Sequence, residues 1–209
     1  MKNYKKNKKL KRGMSLAEVF YTLTILAVVV TLTIPTLLMT MEDNNRKTLW
    51  KTGHRDIAKA AARLRSDQSG FLTGIFTNTD TMRSLFNNYF DAVQNCSSAN
   101  TGICWHADNQ WQSLSGTNRT TTGSASVLNN GMLVLYDSVN VTCTVSGNQC
   151  GTIYMDINGF KKPNTVGKDI FQVIIVNEDK MTYVPDSQTC ESETGINSGI
   201  TCSGKYLRE

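Results

Sequence analysis

Histidine is nearly absent from this chain: His54 and His106 are the only two in 209 residues. They show no ligand spacing, and no C-x-x-C pair accompanies them, so the usual donor sets for zinc are missing. The sequence also lacks a nucleophile elbow, a phosphate-binding glycine loop and an H-E-x-x-H helix. Its carboxylates fall into no recognisable catalytic motif. The expectation is a protein that is not an enzyme and has no resident catalytic cofactor. Three further absences are positional. No acid occurs in residues 1–13, no cysteine before residue 95, and no charge of either sign between Val19 and Met41.

The acid-free start is strongly basic, with Lys2, Lys5, Lys6, Lys8, Lys9, Lys11 and Arg12. It holds seven of the 22 bases; the remainder has 15 against 17 acids and carries about −2. The net charge of +5 therefore belongs to the leader, and nucleic-acid binding by the whole chain loses its support. The charge-free run is 23 residues long. As a helix it spans about 35 Å at 1.5 Å per residue, enough to cross a hydrocarbon core of about 30 Å. A basic segment directly before such a span stays cytoplasmic, which puts the C-terminal side outside.

The six cysteines all lie on that outer side, at Cys96, Cys104, Cys143, Cys150, Cys190 and Cys202. An even number confined to the translocated part reads as disulfides formed in an oxidising space. Six cysteines allow 15 connectivities. Spacing favours three local bridges, Cys96 to Cys104, Cys143 to Cys150 and Cys190 to Cys202. Each would stabilise by about 2.5–3 kcal/mol in the chain-entropy picture.

A cleavable secretory signal has a shorter apolar core and a small-x-small cut site, neither of which is present. A plain signal anchor explains the charge, the span and the orientation, but not Glu18. A carboxylate at the edge of an apolar span is costly unless it has a partner. Glu18 follows Met14 by four residues, one helical turn. Cleavage after Gly13 would give Met14 a free amine, and a neighbouring copy displaced by about a turn could pair that amine with Glu18. Such a pair rewards one register over others, and the positive end of the helix dipole also favours Glu18.

The stretch K-R-G-M-S-L-A-E-V, followed by an apolar run ending T-I-P-T-L-L, resembles the N-terminus of type IV prepilins and type II secretion pseudopilins. The resemblance covers about 30 residues closely. It implies cleavage between Gly13 and Met14 by a membrane aspartic peptidase and N-methylation of Met14 by the same enzyme. Glu18 falls on the family's acidic assembly position, and Pro35 on a recurrent proline of its N-terminal helix. Met14 departs from the pattern, which usually has Phe there. The implied partners are copies of itself or related pilins through the N-terminal helix, the prepilin peptidase and an inner-membrane assembly platform. The implied location is a single pass of the inner membrane, with the N-terminus cytoplasmic and the head periplasmic, or extracellular in an assembled filament. Proline removes a helix donor and tends to kink the helix, so Pro35 is also a candidate bend.

Beyond the span, Leu49, Trp50, Ile57, Ala58, Ala61 and Leu64 recur at three- to four-residue steps. They extend the helix to about residue 66, with an interruption near Asp43-Asn44-Asn45. Asp80 is a candidate cap for a second helix with Met82, Leu85, Phe86, Tyr89, Phe90 and Val93 on one face. Residues 107–126 read as an exposed polar loop. Ser126–Leu128 and Met132–Tyr136 flank Asn129-Asn130-Gly131 as a hairpin. Thr152–Ile157 is a further strand, and Phe171–Val176 and Met181–Val184 form a second hairpin. The expected organisation is a leader at 1–13, a membrane or filament-core helix at 14–41, its amphipathic continuation at 42–66, and an extracytoplasmic head at 67–209. The fold class is α+β, a long membrane-spanning helix packed on an antiparallel sheet, as the resemblance to pilins also implies.

The segment D-I-N-G-F-K-K-P-N-T-V-G-K-D-I-F, from Asp156 to Phe171, offers oxygens at Asp156, Asn158, Asn164 and Asp169. Calcium takes six to eight oxygen ligands, and some secretion pseudopilins carry a structural calcium in a C-terminal loop. The spacing is not that of an EF-hand. The favoured reading is a loop held by Asx turns without metal. Two functions follow: a structural subunit of a type IV pilus-like filament or type II secretion pseudopilus, or a membrane-tethered extracytoplasmic binding module that uses the prepilin route.

Overall fold

Hydrophobic periodicity changes along this chain from an unbroken run, to a helical stripe, to strand alternation, and each pattern becomes a different element. A computed structural model describes residues 15–144 and 147–209. The fold is α+β, with one long apolar N-terminal helix and a six-stranded antiparallel sheet. Two compact units divide it, one ending at Asp43 and the other comprising Asn44–Glu209.

Helix α1 spans Leu16–Asp67 and belongs to both units. It runs without a break through Asp43, Asn44 and Asn45, so the interruption expected there is absent. The low helix propensity of these residues costs only tenths of a kcal/mol each, too little to end a helix held on both sides. Pro35 lies inside the same continuous helix.

In the second unit, α1 buries Trp50, Gly53, Ile57, Ala60, Ala61 and Leu64. Leu49 and Ala58, expected in that stripe, are only half-buried, and Gly53 and Ala60 replace them. Gly53 marks the closest approach to the sheet: a Cβ there would sit 2.3 Å from Met155 Sδ. Trp50 is fully buried, stacks on Phe171 at 4.6 Å, and donates its indole N–H to Ser203 O at 2.8 Å.

Helix α2, Thr79–Phe86, is capped by Asn78 in a reciprocal box with Thr81, two residues before the Asp80 that the sequence favoured. Asp80 instead pairs with Arg83 one turn on. The helix is shorter than its apolar spacing promised. Tyr89 and Phe90 follow it in a turn, and Val93 lies exposed in strand β1, Ala92–Cys96. Strands β2 (Ser124–Leu128), β3 (Leu133–Val139), β4 (Gln149–Asp156), β5 (Ile170–Val176) and β6 (Thr182–Tyr183) follow. Each pairs antiparallel with the next, giving the order β1-β2-β3-β4-β5-β6. The β2–β3 turn uses Gly131 at φ +83°, the conformation that Asn-Gly turns require. A short α3, Cys202–Arg208, closes the chain and was not legible beforehand.

Strand alternation fills two cores. From β3, Val134 and Tyr136 face the side packed against α1 and α2, while Leu133 and Leu135 face the other. On β4, Ile153 and Met155 join the first side and Tyr154 the second. The second face is covered by the segment between β1 and β2. That segment is not a free surface loop: Trp105, Trp111, Ser113 and Thr121 are buried. Its polar composition hid two tryptophans that a two-faced sheet needs as cover. Arg119 fastens it, lying 4.8 Å from the Trp111 ring and 5.3 Å from Tyr154, with donors to Tyr154 Oη and Ile196 O.

Truncating Trp50→Ala is expected to destabilise the Asn44–Glu209 unit by about 3–5 kcal/mol, the range for buried large aromatics. Chemical denaturation followed by far-UV circular dichroism measures it; a loss under about 1 kcal/mol would mean that α1 does not organise this core.

Candidate functional site

The apolar half of α1 is the first candidate. It is long and apolar enough to cross a membrane, and its most apolar stretch is not buried inside the protein at all. Phe20, Tyr21, Leu23, Leu32, Leu37 and Leu38 are each more than half exposed. Monomeric soluble proteins rarely expose an apolar surface this large. Its threonines are prepared for an apolar medium. Thr22, Thr24, Thr31, Thr33, Thr36 and Thr40 each donate their hydroxyl to a carbonyl three or four residues back, at 2.8–3.0 Å. This satisfies the hydroxyls within the helix where no water is present.

Glu18 sits in the first turn. Its Oε2 accepts the Ser15 N–H at 2.9 Å, and Ser15 Oγ accepts the Glu18 N–H at 3.3 Å. At 100° per residue, Ser15, Glu18, Thr22, Thr33, Thr36 and Thr40 fall within an arc of about 60°. Four of the six threonines therefore share the face of Glu18, while Thr24 and Thr31 lie on the opposite side. Gly13 and Met14, the expected cleavage and methylation positions, lie outside the described residues. Ser15 was not singled out from the sequence, although S-L-A-E matches the [ST]-x-x-[DE] signature of a capping box.

The cysteines form Cys96–Cys104, Cys143–Cys150 and Cys190–Cys202, all in the second unit. Cys190, Glu191 and Cys202 lie close enough to suggest metal ligands, but the two sulfurs are bonded to each other.

The loop from Asp156 to Asp169 brings its four expected oxygen donors together. Asp169 Oδ1 accepts Thr165 N–H at 2.7 Å, and its Oδ2 accepts Asn164 N–H at 2.8 Å and Asn158 Nδ2 at 3.2 Å. Asp156 Oδ1 accepts Asn158 N–H at 3.0 Å, and its Oδ2 lies 2.8 Å from His106 Nε2. The side-chain oxygens of Asn158 and Asn164 are buried without a partner among the described residues. The carboxylates thus face N–H groups rather than a common centre. Calcium takes six or more oxygens; here both carboxylates already accept N–H groups, while Asn158 Oδ1 and Asn164 Oδ1 are the loop's unpartnered oxygens.

His106 is the residue that sequence reasoning passed over. It is buried, edge-on to Trp105 and Phe160, and its signal was only that of one isolated histidine. Burial lowers its pKa to about 4, against an opposing pull from the Asp169 carboxylate. Burial first, and then the Asp169 charge, pushes Asp156 well above the usual carboxylate range. Both groups favour their uncharged forms, so Nε2 and Oδ2 share one proton. This pair fastens the loop carrying His106 to the end of β4.

Comparison with known proteins gives no relative: no family model, no curated protein and no solved structure matches this chain.

Two outcomes follow. Adding calcium or a chelator is expected to leave the thermal midpoint unchanged, whereas Asp169→Ala, which strands two buried N–H groups, costs about 2–4 kcal/mol. A chelator-induced drop in midpoint would reinstate the metal. The folded-state pKa of His106 lies below its unfolded value, so the unfolded chain takes up the proton first. Stability is then lost as pH falls from about 6.5 to about 4. His106→Gln lacks this term. Its stability gap to the parent chain should narrow by roughly 3 kcal/mol across that window, as urea unfolding at both pH values would read; a constant gap refutes the assignment.

Proposed function

We propose that this chain is a structural subunit of a type IV pilus-like filament or a type II secretion pseudopilus. In this reading it is made as a prepilin, inserted with its basic leader in the cytoplasm, cut between Gly13 and Met14, and N-methylated at Met14. The observation that carries the reading is a long helix whose apolar half no other described part of the chain covers, with one carboxylate, Glu18, at its start. Before assembly, lipid covers that half. In a filament, the same half of other copies covers it instead.

Glu18 gives the assembly its register. In lipid a carboxylate costs about 2.5–3.5 kcal/mol at mid-span on insertion scales and less near the edge. The amine created by cleavage supplies a compensating charge on the neighbouring copy. The face bearing Glu18 also carries the hydroxyls of Thr22, Thr33, Thr36 and Thr40. Membrane helices associate through Ser and Thr, where van der Waals contact and hydrogen bonds replace the missing hydrophobic drive. Placement of all six cysteines in the other unit agrees with export to an oxidising space. A long helix with its C-terminal half packed on an antiparallel sheet agrees with a pilin-like architecture.

Glu18→Ala is expected to lower incorporation into filaments at least tenfold while leaving membrane insertion intact. Filament yield after shearing and immunoblotting measures it. A normal yield would sink the filament reading and leave a tethered binding module. Mass spectrometry of the mature chain should find methylated Met14 as the first residue; an N-terminus at Met1 would remove the prepilin claim.

A further inference from the structure

Three lysines of the Asn44–Glu209 unit stand at one of its ends with no acid against them. The packing of α1 identifies that end. Trp50 stacks on Phe171 at 4.6 Å, a Cβ on Gly53 would meet Met155, and Met155 pairs with Phe171 across β4 and β5. The end of β4 and the start of β5 therefore lie level with the first turns of α1 in this unit. At the other end, Arg65 donates to Glu178 O at 2.9 Å, in the β5–β6 turn. Lys47 and Arg65 are separated by about 27 Å of helix.

The loop joining β4 to β5, residues 157–169, thus lies at the end where the chain enters the unit. Its base is tightly held. Asp169 gathers N–H groups from Asn158, Asn164 and Thr165, and Gln112 N–H donates to Asn164 O at 3.1 Å. Its tip is left outside: Phe160, Lys161, Lys162 and Lys168 are exposed. Phe160 stands edge-on to His106, ring centroids 5.4 Å apart, and is 50% exposed. The loop's own acids do not compete at the surface, because Asp156 and Asp169 are fully buried. Other cations at this end have partners: Lys47 pairs with Glu209, Lys205 with Glu191 and Arg208 with Asp186. Among the described residues, Lys161, Lys162 and Lys168 make no ion pair.

Three surface lysines alone would be an ordinary solvated patch. An exposed ring in their midst and a place at the entry end single these out. Apolar rings enter the boundary between headgroups and acyl chains, and lysines are drawn to anionic headgroups. Asn44 opens this unit and follows Met41, the last residue of the charge-free run, by three residues. Three residues reach about 10 Å at most in any conformation. With the run inside lipid, the entry end is held beside the headgroups, whatever the angle between the two units.

We propose that the tip of this loop is a membrane-docking surface. Phe160 enters the interface, and Lys161, Lys162 and Lys168 meet the phosphates of anionic phospholipids in the leaflet where α1 emerges. The contact holds the unit on the bilayer for as long as α1 spans it, so the inference rests on the membrane-spanning reading of that helix.

The full-length chain in lipid nanodiscs tests it, by amide NMR with a gadolinium-chelate lipid as the probe. The discs contain phosphatidylcholine alone, or phosphatidylcholine and phosphatidylglycerol in equal parts. In anionic discs the signals of residues 159–162 and 168 should broaden severalfold more than those of the 177–180 turn, and neutral discs should lose most of that difference. Each lysine is expected to strengthen the contact about fivefold. Replacing all three by Lys161→Gln, Lys162→Gln and Lys168→Gln should therefore lower the docked-to-free ratio roughly a hundredfold, and Phe160→Ser severalfold, with the other amide signals of the unit unmoved. Loop broadening that survives the triple substitution, or that is equal in neutral and anionic discs, overturns the proposal. Loop shifts that follow the number of copies per disc rather than the lipid charge also overturn it and give the surface to a second copy. Residues 44–47 report on the underlying reading. Without broadening there, α1 does not span the disc, and the membrane reading fails together with the proposal. Broadening there but not at the loop defeats the docking proposal alone.

Discussion

An apolar surface that no other described residue covers governs this protein. From Val19 to Met41 no charge interrupts the sequence, and the corresponding part of α1 is exposed throughout. Burial of apolar surface is worth about 25 cal/mol per Å², so covering a run of this length is strongly favourable. Backbone groups inside lipid have to be satisfied internally, which favours a helix there and also explains why the threonine hydroxyls bond back onto their own carbonyls. The same demand makes the first turn sensitive, because helix ends leave donors open and Glu18 adds a charge at that end.

The second unit meets the opposite demand, with little apolar sequence and two sheet faces to cover. It meets it by using each element twice. The C-terminal part of α1 covers one face through Trp50, Ile57 and Leu64, and the β1–β2 segment covers the other through Trp105 and Trp111. Three short-range disulfides and the Asp169 network then hold segments that have no regular structure of their own. Several polar contacts here, the His106–Asp156 pair included, fasten loops to strands.

Much of this was legible because local rules were strong. The span followed from length and absence of charge, the β2–β3 hairpin from Asn129-Asn130-Gly131, and the α1 stripe from its three- and four-residue steps. Six cysteines allow 15 connectivities; spacing favoured the three local bridges, and those are the three the structure contains. The misreadings share one cause, which is reading local propensity where packing decided. Asp43-Asn44-Asn45 looked like a break but costs too little to stop a helix. Tyr89, Phe90 and Val93 looked like more helix, yet the chain turns there to form an edge strand. Residues 107–126 looked exposed because their average is polar, while individual side chains such as Trp111 fill the second core. The Ser15–Glu18 box was readable from its spacing, but its two reciprocal hydrogen bonds came into view only with the atoms placed.

The sequence by itself determined the membrane-length helix, the acid-free basic run of residues 1–13, the α+β order of elements and the position of Glu18. Each depends on composition or spacing within one segment, where neighbours in sequence are neighbours in space. Tertiary structure alone decided which loop covers the second sheet face, that His106 meets Asp156, and that Asp169 gathers N–H groups from Asn158, Asn164 and Thr165. Those outcomes depend on groups far apart in the chain: His106 and Asp156 are 50 residues apart and meet at 2.8 Å. Sequence spacing carries no record of such distances, because they are set only when the two faces of the sheet are closed.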